Sequence, residues 1–157
     1  MALRTYRNLE VWQKAIDLVE SVYQLTKLFP SDERFGLTSQ IQRAAVSIPA
    51  NIAEGYGRLH RGDYLHHLSM ARGSLMEVET HLVVAGRLKF VSRQQAAETW
   101  GLSQQVGKML TKLILSLKPP QPRTPNAIPH TRNPRRRQGS EARGAKPEKD
   151  ERKGNTR

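Results

Sequence analysis

A stripe of polar side chains at helical spacing is the first feature of this chain that could support chemistry. Between Phe35 and Arg58, apolar residues recur at steps of three and four, and polar residues run beside them at the same period. Two later residues carry groups that could face this stripe. We call the set the polar seam, and its members are Arg43, Ser47, Asn51, Glu54, Ser74 and Glu77. A small-molecule site is one interpretation, but hydrogen bonding between helices or subunits is favoured, because an unpaired buried carboxylate is costly.

The sequence lacks the residue patterns that metal binding and catalysis need. Metal sites in helical bundles use carboxylates from several helices and two Glu-x-x-His motifs, whereas Glu77 and Glu79 precede His81 by four and two residues. The chain has no cysteine and no Gly-x-Ser-x-Gly turn, and its glycines at 55–62 lack the Lys-Ser/Thr ending of a phosphate-binding loop. We therefore predict no metal, no cofactor and no enzymatic activity.

Basic residues form the third set of candidates. A guanidinium group donates two parallel hydrogen bonds to phosphate, so clustered arginines suit polyanions, with a steep salt dependence and little sequence preference. The predicted nucleic-acid contacts are Arg58, Arg61, Arg72, Arg87, Lys89, Arg93, Arg135, Arg136 and Arg137. Trp12, Tyr23 and Trp100 are expected in cores or interfaces, which predicts few platforms on which single-stranded bases could stack.

Composition divides the chain after residue 118. Residues 1–118 contain 15 Lys+Arg and 10 Asp+Glu, or +5, whereas residues 119–157 contain 11 and 4, or +7 of the net +12. The second part has Ile128 as its only large aliphatic residue and no aromatic residue, so it cannot bury enough surface to offset its ordering entropy. We predict one domain at 1–118 and a disordered basic tail at 119–157.

The charge balance also indicates the class of partner. A pI near 10.6 favours nucleic acid over an anionic membrane. The sequence has neither an apolar run long enough to span a bilayer nor the pattern of a secretory signal. We therefore expect no membrane partner and a cytoplasmic location.

Four amphipathic segments with short connections predict four helices. The first spans Asn8–Leu28, and the second spans about Thr38–Gly57 around Pro49, whose missing donor costs about 3 kcal/mol in a helix interior and must be offset by packing. The third begins with Asp63 as its cap and fades over Gly86–Lys89. The fourth follows a capping box, Ser92 with Gln95, and ends at Lys118.

The same periodicity predicts the buried faces. The first helix should bury Leu9, Trp12, Ile16, Val19, Tyr23 and Thr26, with Ala15 and Val22 widening the stripe. The last helix should bury Leu102, Val106, Met109, Leu113 and Leu117. Because no segment alternates as a strand would, we predict an all-α, up-down-up-down antiparallel four-helix bundle.

Three segments resemble a known family. They are NLEVWQKAIDLVESVYQLTKLFP, FGLTSQIQRAAVSIPANIAEGYGR and YLHHLSMARGSLMEVETHL. They are similar to the four-helix bundle family that includes proteins encoded in intervening sequences of 23S rRNA genes. The same family includes the accessory variability determinant of diversity-generating retroelements. The resemblance covers about residues 6 to 117, and the basic tail lies outside it.

The resemblance implies a homopentameric barrel of bundles with a basic surface. In the retroelement branch, that barrel binds nucleic acid and a partner reverse transcriptase. The leading hypothesis is therefore a non-catalytic, oligomeric accessory protein that binds RNA or DNA with low sequence specificity. The alternative is a scaffold of the rRNA intervening-sequence type, whose polar seam and apolar flanks assemble subunits or dock another protein.

Overall fold

The computed structural model describes residues 5–118, which form four α-helices. They are α1 (Glu10–Thr26), α2 (Leu37–Tyr56), α3 (Arg61–Arg87) and α4 (Arg93–Leu117), with short 3₁₀ helices at Tyr6–Asn8 and Ser31–Phe35. Residues 5–118 contain no strand, so the all-α prediction is confirmed. The predicted tail at 119–157 lies outside the described residues.

The four helices form a ring in which each packs against two neighbours. Contacts join α1 to α2, α2 to α3, α3 to α4 and α4 back to α1, and the α2–α3 contact is the most extensive. Antiparallel packing is visible between α2 and α3, because Ser47 bonds to Ser74 while Asn51, further along α2, reaches back to His67. This arrangement agrees with the predicted up-down-up-down bundle.

The buried face of α1 differs from the predicted one. Its fully or nearly buried residues are Val11, Ala15, Leu18, Val22, Leu25 and Thr26. The predicted stripe of Trp12, Ile16, Val19 and Tyr23 lies one residue further on, which is about 100° around a helix, and Tyr23 is 44% exposed. The error arose because the apolar residues of α1 form one broad face, and the residues thought to widen the stripe lie at the centre of its buried part.

The centre of α4 also differs, because two hydroxyl residues occupy core positions. Thr99 and Ser103 are buried beside Val106 and Leu110, whereas the predicted Leu102, Met109, Leu113 and Leu117 pack only partly buried around the core. Thr99 Oγ1 lies 2.7 Å from Ser21 Oγ of α1, and Ser103 Oγ donates to Glu79 of α3 at 3.1 Å. These bonds offset the cost of burying the hydroxyls.

The helix ends confirm one predicted cap and correct another. The capping box at Ser92 is present, with Gln95 N–H donating to Ser92 Oγ at 3.2 Å and Ser92 N–H donating to Gln95 Oε1 at 2.8 Å. The cap at Asp63 is wrong, because α3 already begins at Arg61 and Asp63 lies in its first turn. A carboxylate there is still favourable, since it faces the positive end of the helix dipole.

Helix α3 ends in a left-handed residue that is not glycine. Lys89 has φ of 61°, and the amides of Lys89 and Phe90 bond back to the carbonyls of Gly86 and Ala85 at 3.1 and 3.0 Å. This pattern satisfies carbonyls that a helix end would otherwise leave free. The backbone therefore turns sharply into α4.

Helix α2 runs without interruption through Pro49. The proline is buried, and Ala45, Ile48 and Ile52 around it are completely buried. Burying one large aliphatic side chain contributes about 1.5–3 kcal/mol, so two such residues offset the roughly 3 kcal/mol that an interior proline costs.

Near the end of α2, Gly55 lets the helix approach α3 closely. A Cβ atom at this position would lie 2.7 Å from Tyr64 Cδ2 and 2.9 Å from His67 Cβ. Both distances are shorter than van der Waals contact, so only glycine fits without movement of α3.

Substitution of Gly55 by alanine should destabilise the bundle. The overpacking costs about 1–3 kcal/mol, and denaturant unfolding followed by circular dichroism would measure it. Gly73→Ala is the matched control, because a Cβ at Gly73 meets no atom within 4 Å. The control should raise the free energy of unfolding by about 0.5–1 kcal/mol through helix propensity. Equal effects of the two variants would contradict the close approach.

Candidate nucleic-acid interface

Three members of the predicted polar seam come together between α2 and α3. Asn51, only 8% exposed, donates from its side-chain amide to the carbonyl of Ser47 at 2.9 Å and to Ser47 Oγ at 3.0 Å. Ser74 of α3 donates to the same hydroxyl at 3.0 Å. The contact therefore links the two helices through a chain of short hydrogen bonds.

His67 completes this network, although sequence analysis left it out. Its Nδ1 lies 3.3 Å from Asn51 Oδ1, and its Nε2 accepts a hydrogen bond from Arg58 Nε at 3.2 Å. With the ring proton on Nδ1, one tautomer satisfies both contacts. The available signal was the spacing of seven residues from His67 to Ser74, which places them two turns apart on one face of α3.

The other predicted seam residues do not join the network. Arg43 is exposed and lines a surface groove near Phe35. Glu54 points largely to solvent, 3.6 Å from His67 Nδ1, and Glu77 pairs with His81 of its own helix at 3.4 Å. The carboxylates therefore lie outside the buried part of the interface.

Within residues 5–118, every buried side-chain nitrogen and oxygen has a hydrogen-bond partner. The network between α2 and α3 thus leaves no buried polar group free to hold a ligand. Beside it, burial raises the pKa of the Tyr64 hydroxyl, and the nearby Tyr56 raises it further. These features indicate structural hydrogen bonding between two helices.

The net charge of the described residues resides on the α3–α4 half. Residues 5–60 contain six Lys+Arg and six Asp+Glu, or zero net charge, whereas residues 61–118 contain eight and four, or +4. All eight basic side chains of the second half are exposed, namely Arg61, Arg72, Arg87, Lys89, Arg93, Lys108, Lys112 and Lys118. The predicted Arg61, Arg72, Arg87, Lys89 and Arg93 therefore share one hairpin.

A groove follows the outer junction of α3 and α4, and we call it the α3–α4 groove. Its middle segment, of about 390 Å³, is lined by Arg72 and Lys108 among others. Its end segment, of about 660 Å³, is lined by Arg87, Arg93 and Trp100. The lining positions continue from one segment to the next at steps of three and four on both helices, so the two segments lie on the same side of the hairpin.

Acidic groups do little to neutralise this groove. Glu79 is the only carboxylate that lines either segment, and its Oε1 accepts hydrogen bonds from Ser103 at 3.1 Å and from Gln104 at 2.9 Å. The end segment has no acidic lining residue.

Two other predicted basic residues, Arg58 and Arg61, do not line the α3–α4 groove. Arg58 is bonded to His67 at the α2–α3 junction, and Arg61 donates to the carbonyl of Leu117, which ties the start of α3 to the end of α4. The cluster Arg135, Arg136 and Arg137 lies outside the described residues. Lys108 was missed by sequence analysis, although its spacing of four from Lys112 marks an exposed basic stripe.

Trp100 is not a core residue. It was expected in a core or an interface, and it is 40% exposed at the end segment of the groove. Trp12 fits its expectation better, because it is partly buried against the core and packs edge-to-face on Tyr6.

Residues 5–118 contain neither a metal-binding cluster nor a membrane-spanning helix. These residues contain no group of three His, Asp or Glu side chains that could hold a metal ion. None of their helices combines the length and apolar character that crossing a bilayer requires.

Comparison with known proteins adds a family and a related structure. The family model described as 23S rRNA-intervening sequence protein matches residues 7–112. A crystal structure of a protein of unknown function from the S23 ribosomal protein family, from Bacteroides thetaiotaomicron, is similar with a TM-score of 0.60. The two chains are 25% identical, and the match covers 66% of this chain and 97% of that one. None of the curated proteins compared with this chain matches it.

The structural function of the α2–α3 network can be tested through Asn51. We expect Asn51→Ala to lower the free energy of unfolding by about 1–3 kcal/mol, because Ser47 and His67 lose a buried partner. Gln105→Ala, at an exposed position of α4, should stay within about 0.5 kcal/mol of the wild type. Denaturant titration of both variants would measure the difference. Equal stability of the Asn51 variant and the wild type would show that the network does not hold the helices.

Proposed function

This chain belongs to the 23S rRNA-intervening sequence protein family, and on that premise we propose that it is a non-catalytic, oligomeric protein that binds nucleic acid through the α3–α4 groove. The observation that carries the proposal is the charge asymmetry of the bundle. Zero net charge on residues 5–60 and +4 on residues 61–118 give the described bundle one positive side. A polyanion would be attracted to that side.

The spacing of the basic groups supports binding along a strand. Arg72 and Arg87 are 15 residues apart on α3, which corresponds to about 22 Å along a helix. Lys108 and Arg93 face them from α4 within the same groove segments. Phosphates along a nucleic acid could therefore contact several cations at once, and each contact releases counterions.

We propose that the protein assists a reverse transcriptase. In this proposal, the protein holds template RNA or cDNA on the α3–α4 groove within a diversity-generating retroelement. Support for this setting comes from the sequence resemblance to accessory variability determinants. The groove supplies charge and positioning, while the partner enzyme supplies the chemistry.

A second candidate function is a scaffold, and an apolar surface on the α1–α2 half favours it. Phe35 is 86% exposed, and Tyr23 and Val46 are 44% and 45% exposed. Tyr23 and Val46 line two adjoining surface grooves, one of which includes Phe35. Exposed apolar groups that share adjoining grooves are typical of protein contacts, so we propose this surface for subunit assembly.

Removing two charges from the groove should weaken binding and reduce its salt dependence. We expect Arg72→Gln combined with Lys108→Gln to make the slope of log affinity against log salt shallower by about 1.4 for a single strand. The matched control is Lys27→Gln combined with Arg34→Gln, which removes the same charge from the α1–α2 half and should leave the slope unchanged. Fluorescence anisotropy of a labelled RNA between about 50 and 200 mM salt would measure both slopes.

Identical slopes for the groove variant and the wild type would contradict binding in the α3–α4 groove. Absence of binding by the wild-type protein at the lowest salt would contradict the proposed function itself and would favour the scaffold.

Removal of residues 119–157 should leave salt-dependent binding in place. The deletion takes away Arg135, Arg136 and Arg137 and a net charge of +7, so affinity should fall while a measurable slope persists. The same anisotropy titration would show it. Complete loss of binding by the shortened chain would assign the contact to the tail instead of the groove.

A further inference from the structure

An exposed tryptophan lies among arginines at one end of the α3–α4 groove. Trp100 leaves 40% of its surface accessible, although a large aromatic ring usually gains from burial. The segment that it lines measures about 660 Å³ and has an apolar floor that includes Leu82, Val83 and Ala96. An apolar recess with an exposed indole ring offers a flat surface on which another ring could stack.

The charged groups around this recess fit phosphate. Arg87 lies in the last turn of α3, and Arg93 is the first residue of α4, so the sharp turn at Lys89 brings the two to the same groove segment. Both guanidinium groups are exposed, and no carboxylate lines the segment. A ligand that combines an aromatic ring with neighbouring negative charges would match both features.

From this juxtaposition we propose that the end segment of the α3–α4 groove is a single-strand-specific site, in which Trp100 stacks on an unpaired base while Arg87 and Arg93 bind the adjacent phosphates. The inference rests on the proposed function and narrows its substrate to single-stranded RNA or DNA. Inside a duplex the bases are paired and stacked on one another, so only the two terminal pairs present a face to an indole ring. Stacking tolerates any base, which gives the site little sequence preference.

The rest of the groove extends the same contact. Arg72 and Lys108 line its middle segment. Lys108 follows Trp100 by eight residues on α4, which is about two turns of helix. Glu79 of the middle segment is held by Ser103 and Gln104, and its single negative charge is outnumbered by the positive charges of Arg72 and Lys108. Electrostatic contacts along the middle segment serve single strands and duplexes alike, and the base contact at Trp100 distinguishes them.

The fluorescence of Trp100 gives a direct readout of stacking. In the full-length Trp12→Phe variant, Trp100 is the only tryptophan, because the chain has two. We expect a 20-nucleotide oligouridine to quench its emission on binding, whereas an RNA duplex of the same length should bind without comparable quenching. Circular dichroism of the variant would verify that it is folded.

Affinity measurements test the energetic contribution of the ring. We expect Trp100→Leu to weaken binding of the oligouridine about 5- to 100-fold, as loss of one base–aromatic stack does, and to change duplex binding less than about twofold. Trp100→Phe should retain most of the single-strand affinity, because it keeps an aromatic face. Sedimentation velocity should give the same oligomeric state for all three proteins.

Distinct results would overturn the inference. Equal losses on single strand and duplex, or binding of oligouridine without quenching and without an effect of Trp100→Leu, would remove the stacking site while leaving salt-dependent binding in the groove intact. A change of oligomeric state in Trp100→Leu would place the ring in a subunit contact. If the wild-type protein bound neither nucleic acid at low salt, the proposed function would fail together with the inference.

Discussion

The close approach of α2 and α3 at Gly55 is the constraint on which the bundle depends. Gly55 has no side chain, so α2 comes close to Tyr64 and His67 of α3, and the polar residues on either side of the contact must satisfy one another. Asn51, Ser47, Ser74 and His67 do so through one connected set of hydrogen bonds. The same contact accommodates Pro49, since the surrounding burial offsets the hydrogen bond that proline cannot donate.

Packing and charge are therefore divided between the two sides of α3. One side of this helix contacts α2 through small and hydrogen-bonded groups, whereas its junction with α4 displays basic residues and Trp100. The α1–α2 half carries balanced charges and exposed apolar residues such as Phe35 and Val46. Such a division suits a protein whose apolar surface associates with protein and whose basic surface attracts a polyanion.

Periodicity and capping chemistry predicted the number of helices and most of their ends, because those depend on local sequence. The capping box at Ser92 is a clear example, since both of its bonds form within four residues. The rotation of α1 was not predictable in the same way, because its apolar face is broad and only the neighbouring helices decide which part of it is buried. Thr99 and Ser103 were missed as core residues because their partners lie on other helices, far away in the chain.

The candidate site shows the same limit. The basic character of the third helix and its exit was evident from composition, and Ser47, Asn51 and Ser74 were correctly grouped by spacing. The groove itself depends on how α3 lies beside α4, so Lys108 and the exposure of Trp100 emerged only from the fold. Arg43, Glu54 and Glu77 show that a shared period does not guarantee a shared contact, since each is exposed and none bonds to Ser47, Asn51 or Ser74.

The buried hydroxyls of α4 have a consequence for how the chain selects its topology. Thr99 bonds to α1 on one side and Ser103 bonds to α3 on the other, one turn apart. Sliding α4 by a turn, or exchanging its two neighbours in a mirror-image bundle, would break the contact of Thr99 with Ser21 and that of Ser103 with Glu79, and Ser103 would keep only its bond to the Trp100 carbonyl of its own helix. The hydroxyl groups of Thr99 and Ser103 thus disfavour alternative bundle topologies that the apolar helix faces alone would allow.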